Sequence, residues 1–403
     1  MRSTVDLFRK GIDMSISFGT AGTPIKVLAL TTTAIVAGMF TTPAARAATQ
    51  PHTSATMTSD AAVDAYWTPE RMKNAKPLPM PRPASAPALK QALKPKASDG
   101  VPRQTQGSAP SVDVGNLLSK QLFQPDLIQE NSASGVKPDN VGNFGAYFTT
   151  TRVFPDKASV TYPNSTAGRL YFSDPVAGGD YICSASAISP RLIVTAGHCT
   201  AHADPSHPYF YSNWMFVPSY NNGVAPNGTW KVKWATTTVN WYYSNGSVPN
   251  VQDVGVMVVY DRTTRGASYK LGNITGWLGT WTLWGRSYPN NITQLGYPCN
   301  LDSCAKMELN TAQGVGIWNN TVEIGSAMEG GSSGGPWIQD YGVAPAGAPA
   351  YTAGNWVLGV TSWGYTDTTQ MGQGSSIFEN AGYSGGGFGD LYSLACKENT
   401  GNC

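Results

Sequence analysis

The 403-residue chain is short of charge: Lys, Arg, Asp and Glu make up 13% of it, and the formal net charge is +2. From residue 151 onward there are 12 Lys/Arg against 15 Asp/Glu. A nucleic-acid binder needs a basic surface to displace counterions, so the composition argues against one. Histidine is scarce, with four residues, and no two of the six cysteines form a Cys-x-x-Cys pair. A metal site therefore has little to be built from, and neither metal nor cofactor is expected. No apolar run reaches the roughly 20 residues of a membrane-spanning helix. Apolar patterns of helical period are nearly missing, internal repeats are not evident, and no spaced carboxylate pair suggests a glycosidase.

What the chain has is glycine (44), tyrosine (19) and tryptophan (12). From about residue 140, short apolar-alternating runs are separated by Gly, Asn, Pro and Asp. Tyr181 to Ile188, Leu192-Ile193-Val194, Trp230 to Trp234, Val254 to Tyr260 and Trp356 to Thr361 are examples. Short strands punctuated by turns indicate a β-sandwich or barrel. Leu391-Tyr392-Ser393-Leu394 is at most a short terminal helix.

The N-terminal third is different. Arg9, Lys10 and Lys26 precede an apolar stretch from Val27 to Phe40, and Ala45-Arg46-Ala47 follows. Residues 1–47 read as a secretory signal, with a membrane anchor as the competing reading. Residues 48–140 are Pro-rich, and up to about residue 115 Lys, Ala and Ser fill the spaces between prolines. Such a stretch buries too little apolar surface to offset its ordering entropy and is expected to be disordered. Thr68-Pro69-Glu70 is the exception: it can cap and start a helix through Arg71-Met72-Lys73. An even cysteine count behind a signal implies disulfides. Chain order suggests Cys183–Cys199, Cys299–Cys304 and Cys396–Cys403, among 15 possible pairings.

Two strings carry chemistry. Gly331-Ser332-Ser333-Gly334-Gly335-Pro336 places a serine in a glycine loop whose backbone N–H groups can converge on an oxyanion. The bland alternative is a flexible Gly/Ser loop such as Ser384-Gly385-Gly386-Gly387. Val194-Thr195-Ala196-Gly197-His198-Cys199 ends an apolar strand in a turn that presents an imidazole, the side chain suited to move protons near neutral pH.

Both strings resemble the histidine and nucleophile motifs of the chymotrypsin-like serine peptidases, and the resemblance covers roughly residues 145–395. It implies an all-β fold of two antiparallel β-barrels, 141–265 carrying His198 and Asp253 and 266–403 carrying Ser333. It also maps a disulfide onto Cys183–Cys199. Asp253-Val254-Gly255-Val256-Met257-Val258 matches the context of the family's acid, with Asp261 as the rival. The same resemblance implies an oxyanion hole from the N–H groups of Gly331 and Ser333, and a substrate-binding strand at Ser362-Trp363-Gly364. Tyr66 to Met72 looks like the pro-region of secreted microbial members, which favours a propeptide over a plain linker.

Two positions depart from the trypsin pattern. Ser332 stands where those members have an Asp that pairs with a new N-terminus, so activation by that ion pair is not expected. Ala327, six residues before the nucleophile, stands at the expected base of the specificity pocket, which argues against cleavage after Lys or Arg; Glu329 is the alternative, reaching the pocket if the loop is aligned differently. Thr361 is not the histidine of glutamate-specific relatives, and an apolar or aromatic substrate side chain is the expectation. The combined reading is a secreted, monomeric serine endopeptidase acting on peptides or proteins, without membrane association once the signal is removed. A catalytically inactive β-barrel binding protein is the alternative. A carbohydrate-binding surface built on Trp241, Tyr242, Tyr243, Trp277, Trp281 and Trp284 is a third.

Overall fold

A computed structural model describes residues 52–55, 59–83, 103–113, 115–124, 140–141, 147–282, 291–318, 321–342, 354–365, 371–379 and 386–403. The expected signal segment, 1–47, lies outside the described residues. So do Trp284 and the Gly/Ser stretch 384–385.

Six strands close on themselves to form the first barrel. Around the ring they run Ser212–Pro218, Ala167–Ser173, Asp180–Ala187, Leu192–Thr195, Gly255–Val259 and Trp230–Thr237, which pairs again with Ser212–Pro218. Every pairing in the ring is antiparallel. Closure removes the sheet edges. Leu170, Phe172, Ile182, Val194, Phe216, Trp230, Val232 and Val256 are fully buried. Each aliphatic or Phe side chain of this kind contributes about 1.5–3 kcal/mol by leaving water.

The second sheet orders Thr321–Gly325, Gly372–Ile377, Trp356–Gly364, Pro336–Gln339, Ile292–Gly296, Glu308–Ala312 and Tyr147–Arg152. Tyr147–Arg152 thus pairs with Glu308–Ala312 in the second sheet, although 141–265 was expected to build the first barrel. Its side chains explain the choice, since Thr150 Oγ1 donates to Asn310 Oδ1 at 2.7 Å and Arg152 forks onto Asp302. The chain end crosses the other way. Helix Phe388–Glu398 buries Phe388, Leu391 and Ala395 in the same core as the first barrel, and Lys233 pairs with Glu398 at 3.2 Å. The bridges are Cys183–Cys199, Cys299–Cys304 and Cys396–Cys403. Among the described residues no helix is long and apolar enough to cross a membrane.

Residues 59–83 are ordered, against the expectation of a solvated chain. Ser59 caps helix Asp60–Tyr66, and Thr68, with Pro69 behind it, caps helix Pro69–Asn74. Val63, Trp67 and Met72 are buried against the first barrel. Trp67 Nε1 donates to the Asn213 carbonyl at 2.6 Å, and its ring meets Tyr171 edge-on. Lys231 Nζ reaches Asp64 at 2.6 Å, and Tyr66 and Arg71 both bond Asp180. The stretch cannot form a core alone. It borrows one from the barrel.

The second sheet holds a pH-sensitive carboxyl. Burial pushes Glu308 up to about 8, aided by a bond to Asp302 and by its charge. Folding therefore binds a proton that the unfolded chain releases above its ordinary value of 4.5. The stabilisation is complete below that value and is lost as pH rises through about 8. Urea midpoints should fall across that window, and Glu308→Gln should flatten the fall. An unchanged slope in the variant would assign the effect to other groups.

Candidate active site

Strand Leu192–Thr195 ends in the short turn Gly197–Cys199, which is tied to strand Asp180–Ala187 by the Cys183–Cys199 bridge. His198 is thereby fixed at the barrel's end with only 5% of its surface exposed. Asp253, just before strand Gly255–Val259, is fully buried. Its Oδ1 accepts from the His198 backbone N–H at 2.7 Å, and its Oδ2 lies 2.8 Å from His198 Nδ1. Ser362 Oγ donates to the same Oδ2 at 2.6 Å. A buried carboxylate needs such donors. With Nδ1–H given to Asp253, the lone pair of a neutral imidazole is on Nε2. The rival Asp261 is bound instead by Arg191, at 2.6 and 2.7 Å.

The serine loop is pinned to the same strand. Ser184 N–H donates to the Ser333 carbonyl at 2.7 Å, and Ser184 Oγ donates to the Gly331 carbonyl at 2.8 Å. Thr195, three residues before His198, donates its hydroxyl to the Ser184 carbonyl at 2.9 Å. Gly334 has φ +80°, and a Cβ there would lie 2.1 Å from Thr195 Oγ1. One strand thus anchors both the imidazole turn and the serine loop. Ser333 Oγ and His198 Nε2 are both buried, and among the described residues neither has a hydrogen-bond partner, so the two are not bonded to each other.

Gly331 has φ +101°, a conformation that favours glycine, and a Cβ there would meet the Tyr297 carbonyl at 2.4 Å. Among the described residues the N–H groups of Gly331 and Ser333 make no backbone hydrogen bond. Ser332 Oγ donates to the Glu329 carbonyl and accepts from Gln373 Nε2 at 2.9 Å. Ala327 lies half-buried, its N–H on Thr150 Oγ1 and its carbonyl on Asn300. Trp363 is fully buried against Trp241 and Val248. Gly364 N–H donates to the Pro81 carbonyl at 3.4 Å, and a Cβ at Gly364 would lie 2.6 Å from Met80 Sδ.

Ser184 and Gln373 escaped the sequence reading. Ser184 follows Cys183 directly, the one local signal for it, while nothing around Gln373 in the sequence marks it. Ser184 Oγ also accepts from the Tyr297 N–H at 3.0 Å, so Ser184→Ala leaves two backbone groups unpaired. The expected loss is about 1–3 kcal/mol of stability, read by denaturant unfolding. Retention of full stability would show that Ser184 is not the anchor.

Sγ of Cys183 and of Cys199 lie within 4.8 Å of a His198 nitrogen, but the disulfide leaves neither sulfur as a metal ligand. The aromatic candidates do not form one surface: Trp241 is buried, Trp281 packs edge-on against Trp356, and Tyr243 is half exposed.

No family model and no curated protein sequence matches this chain. Solved structures do. Protease Anisep from Arthrobacter nicotinovorans is 24% identical, with 53% of this chain and 90% of that chain covered and a TM-score of 0.43. A thermostable serine protease AL20 from an extremophilic microorganism is 21% identical, with 59% and 98% covered and a TM-score of 0.46. A Glu endopeptidase solved in complex with MPD is 17% identical, with 61% and 95% covered and a TM-score of 0.44. The chain is mostly β, with a closed six-stranded barrel and a second sheet.

Proposed function

We propose that the protein is a secreted serine endopeptidase that hydrolyses peptide bonds through an acyl-enzyme, with His198, Asp253 and Ser333 as its triad. The observation that carries the reading is the buried Asp253–His198 pair, bonded through Oδ2 and Nδ1 at 2.8 Å, with unpartnered Nε2 and Ser333 Oγ. Ser333 Oγ attacks the substrate carbonyl as Nε2 takes its proton. The N–H groups of Gly331 and Ser333 receive the oxyanion. His198 then passes the proton to the leaving amine, and the acyl group stays on Ser333. Water, deprotonated by Nε2, attacks the ester carbonyl, and His198 returns that proton to Ser333 Oγ as the acyl C–O bond breaks and the acid leaves. Asp253 holds the imidazole in the tautomer that makes Nε2 the base, and Ser362 holds Asp253. No step calls for a cofactor.

The three bridges suit an oxidising compartment, and the docked stretch 59–83 suits a pro-region made with the enzyme. Stopped-flow hydrolysis of an activated ester by the processed, secreted protein tests the mechanism. A burst of one leaving group per molecule before the steady rate is expected. Hydrolysis of the activated ester with no burst and no acyl group trapped on Ser333 by rapid quench would refute it. Binding of peptides without any turnover would favour the inactive-barrel alternative.

A further inference from the structure

We propose that residues 77–83 of this chain fill its own substrate groove, with Met80 in the primary specificity pocket, so that the unprocessed protein is held inactive and the pocket is built for a long, unbranched, neutral side chain. This rests on the reading of Ser333 as nucleophile and deepens it.

The path of the segment carries the inference. Lys76 and Pro77 pair with Tyr181 and Ile182, immediately before the Cys183-Ser184 anchor, and the Leu78 N–H donates to the Ile182 carbonyl at 3.1 Å. A Cβ at Gly330, next to Gly331 of the nucleophile loop, would lie 3.4 Å from Pro77 Cβ. Three residues on, the Pro81 carbonyl accepts from Gly364 N–H, two positions beyond the Ser362 that holds Asp253. Pro83 then bridges to Val248, which packs with Trp241 and Trp363. The segment thus runs from one flank of the Ser333 loop to the other.

Met80 is the side chain that turns inward: it is 8% exposed, while Pro79 and Arg82 beside it are exposed. Its Sδ lies 3.6 Å from Gln373 Nε2 and against Gly364, where any Cβ would displace it. Gln373 in turn bonds Ser332 Oγ, the residue before the nucleophile. This neutral amide, and not the half-buried Ala327, faces the occupant. Gln373 also joins Gln294, and Ser326 and Thr361 complete a buried network of neutral groups around it. A neutral pocket wall would leave a charged side chain without a counter-ion.

The contact is suited to release. Both β-pairings of the segment are parallel, the less stable geometry. Prolines at 77, 79, 81 and 83 each withhold an N–H from the groove. They also pre-set an extended backbone, which lowers the entropy cost of occupying it. The helices behind it, anchored by Val63, Trp67 and Met72, hold it there at high effective concentration.

Two measurements on the full secreted chain decide the matter. In the Ser333→Ala background, hydrogen exchange at the Gly364 amide should be slow and should quicken at least tenfold in Met80→Asp, with Met80→Ala as the milder variant. Equal exchange in all forms would overturn the occupancy. With Ser333 intact, a fluorophosphonate should label the Met80→Asp chain at least tenfold faster than the Met80 chain. Faster exchange with unchanged labelling, in a protein whose processed form labels readily, would overturn the inhibition. If the processed form never labels, the peptidase reading itself fails, and the exchange result still judges the occupancy. On a peptide library the processed enzyme should prefer Met or Gln before the cut. A preference for Lys, Arg, Asp or Glu would overturn the pocket assignment.

Discussion

Ser333→Ala is expected to lower kcat for peptide hydrolysis by about 10⁶-fold with KM little changed, because the hydroxyl serves the chemical step and not substrate binding. The residual rate, roughly 10³–10⁴ above water, would come from the oxyanion donors and the groove. The fold should not suffer. Ser333 Oγ is buried and bonds nothing among the described residues, so its removal breaks no hydrogen bond there. A melting temperature equal to or slightly above that of the parent should accompany the lost activity. Loss of activity together with loss of fold would leave the hydroxyl's role to be judged from Ser333→Cys.

Asp253→Asn should cost about 10⁴-fold in kcat, by a different route. Asp253 accepts three bonds, from His198 N–H, His198 Nδ1–H and Ser362 Oγ. An amide has one accepting oxygen and one donating nitrogen. If its NH₂ faces His198 Nδ1, the imidazole must carry its proton on Nε2 and can no longer act as base. If the oxygen faces Nδ1, the NH₂ faces the His198 backbone N–H and two donors collide. Stability should fall by about 1–3 kcal/mol as well. Ser362→Ala removes a single bond worth about 1.5 kcal/mol, so a loss near tenfold is expected there. Steady-state kinetics on a neutral peptide ester rank the three variants. Asp253→Asn as active as the parent would remove Asp253 from the mechanism.

These effects follow from residues with unequal sequence visibility. The proposed His198 and Ser333 stand out in the sequence because each needs its own neighbours: a turn after an apolar strand for one, an N–H cradle of glycines for the other. The proposed Asp253 stands out through the alternating strand that follows it, a context matched by the resemblance. The two-part arrangement entered only through the resemblance, while the all-β plan was legible from short strands and turns, which fit a sandwich or a barrel alike. Ser184, Gln373 and Met80 were not, because each matters through a partner far along the chain: Gly331, Ser332 and Gly364 respectively. Residues 59–83 misled for a related reason. Val63, Trp67 and Met72 are too few for a core of their own, and composition alone does not reveal that a finished barrel supplies the rest. The strand Tyr147–Arg152 likewise chose its sheet through Asn310 and Asp302, which lie some 150 residues away.

The central claim is that the imidazole of His198 activates the hydroxyl of Ser333. Mass-spectrometric mapping of a fluorophosphonate adduct on the processed protein tests it most directly. The account predicts one adduct per molecule, on the peptide containing Ser333, and none on the same peptide of a folded His198→Ala variant. An adduct on another residue, or equal labelling of Ser333 without His198, would contradict it.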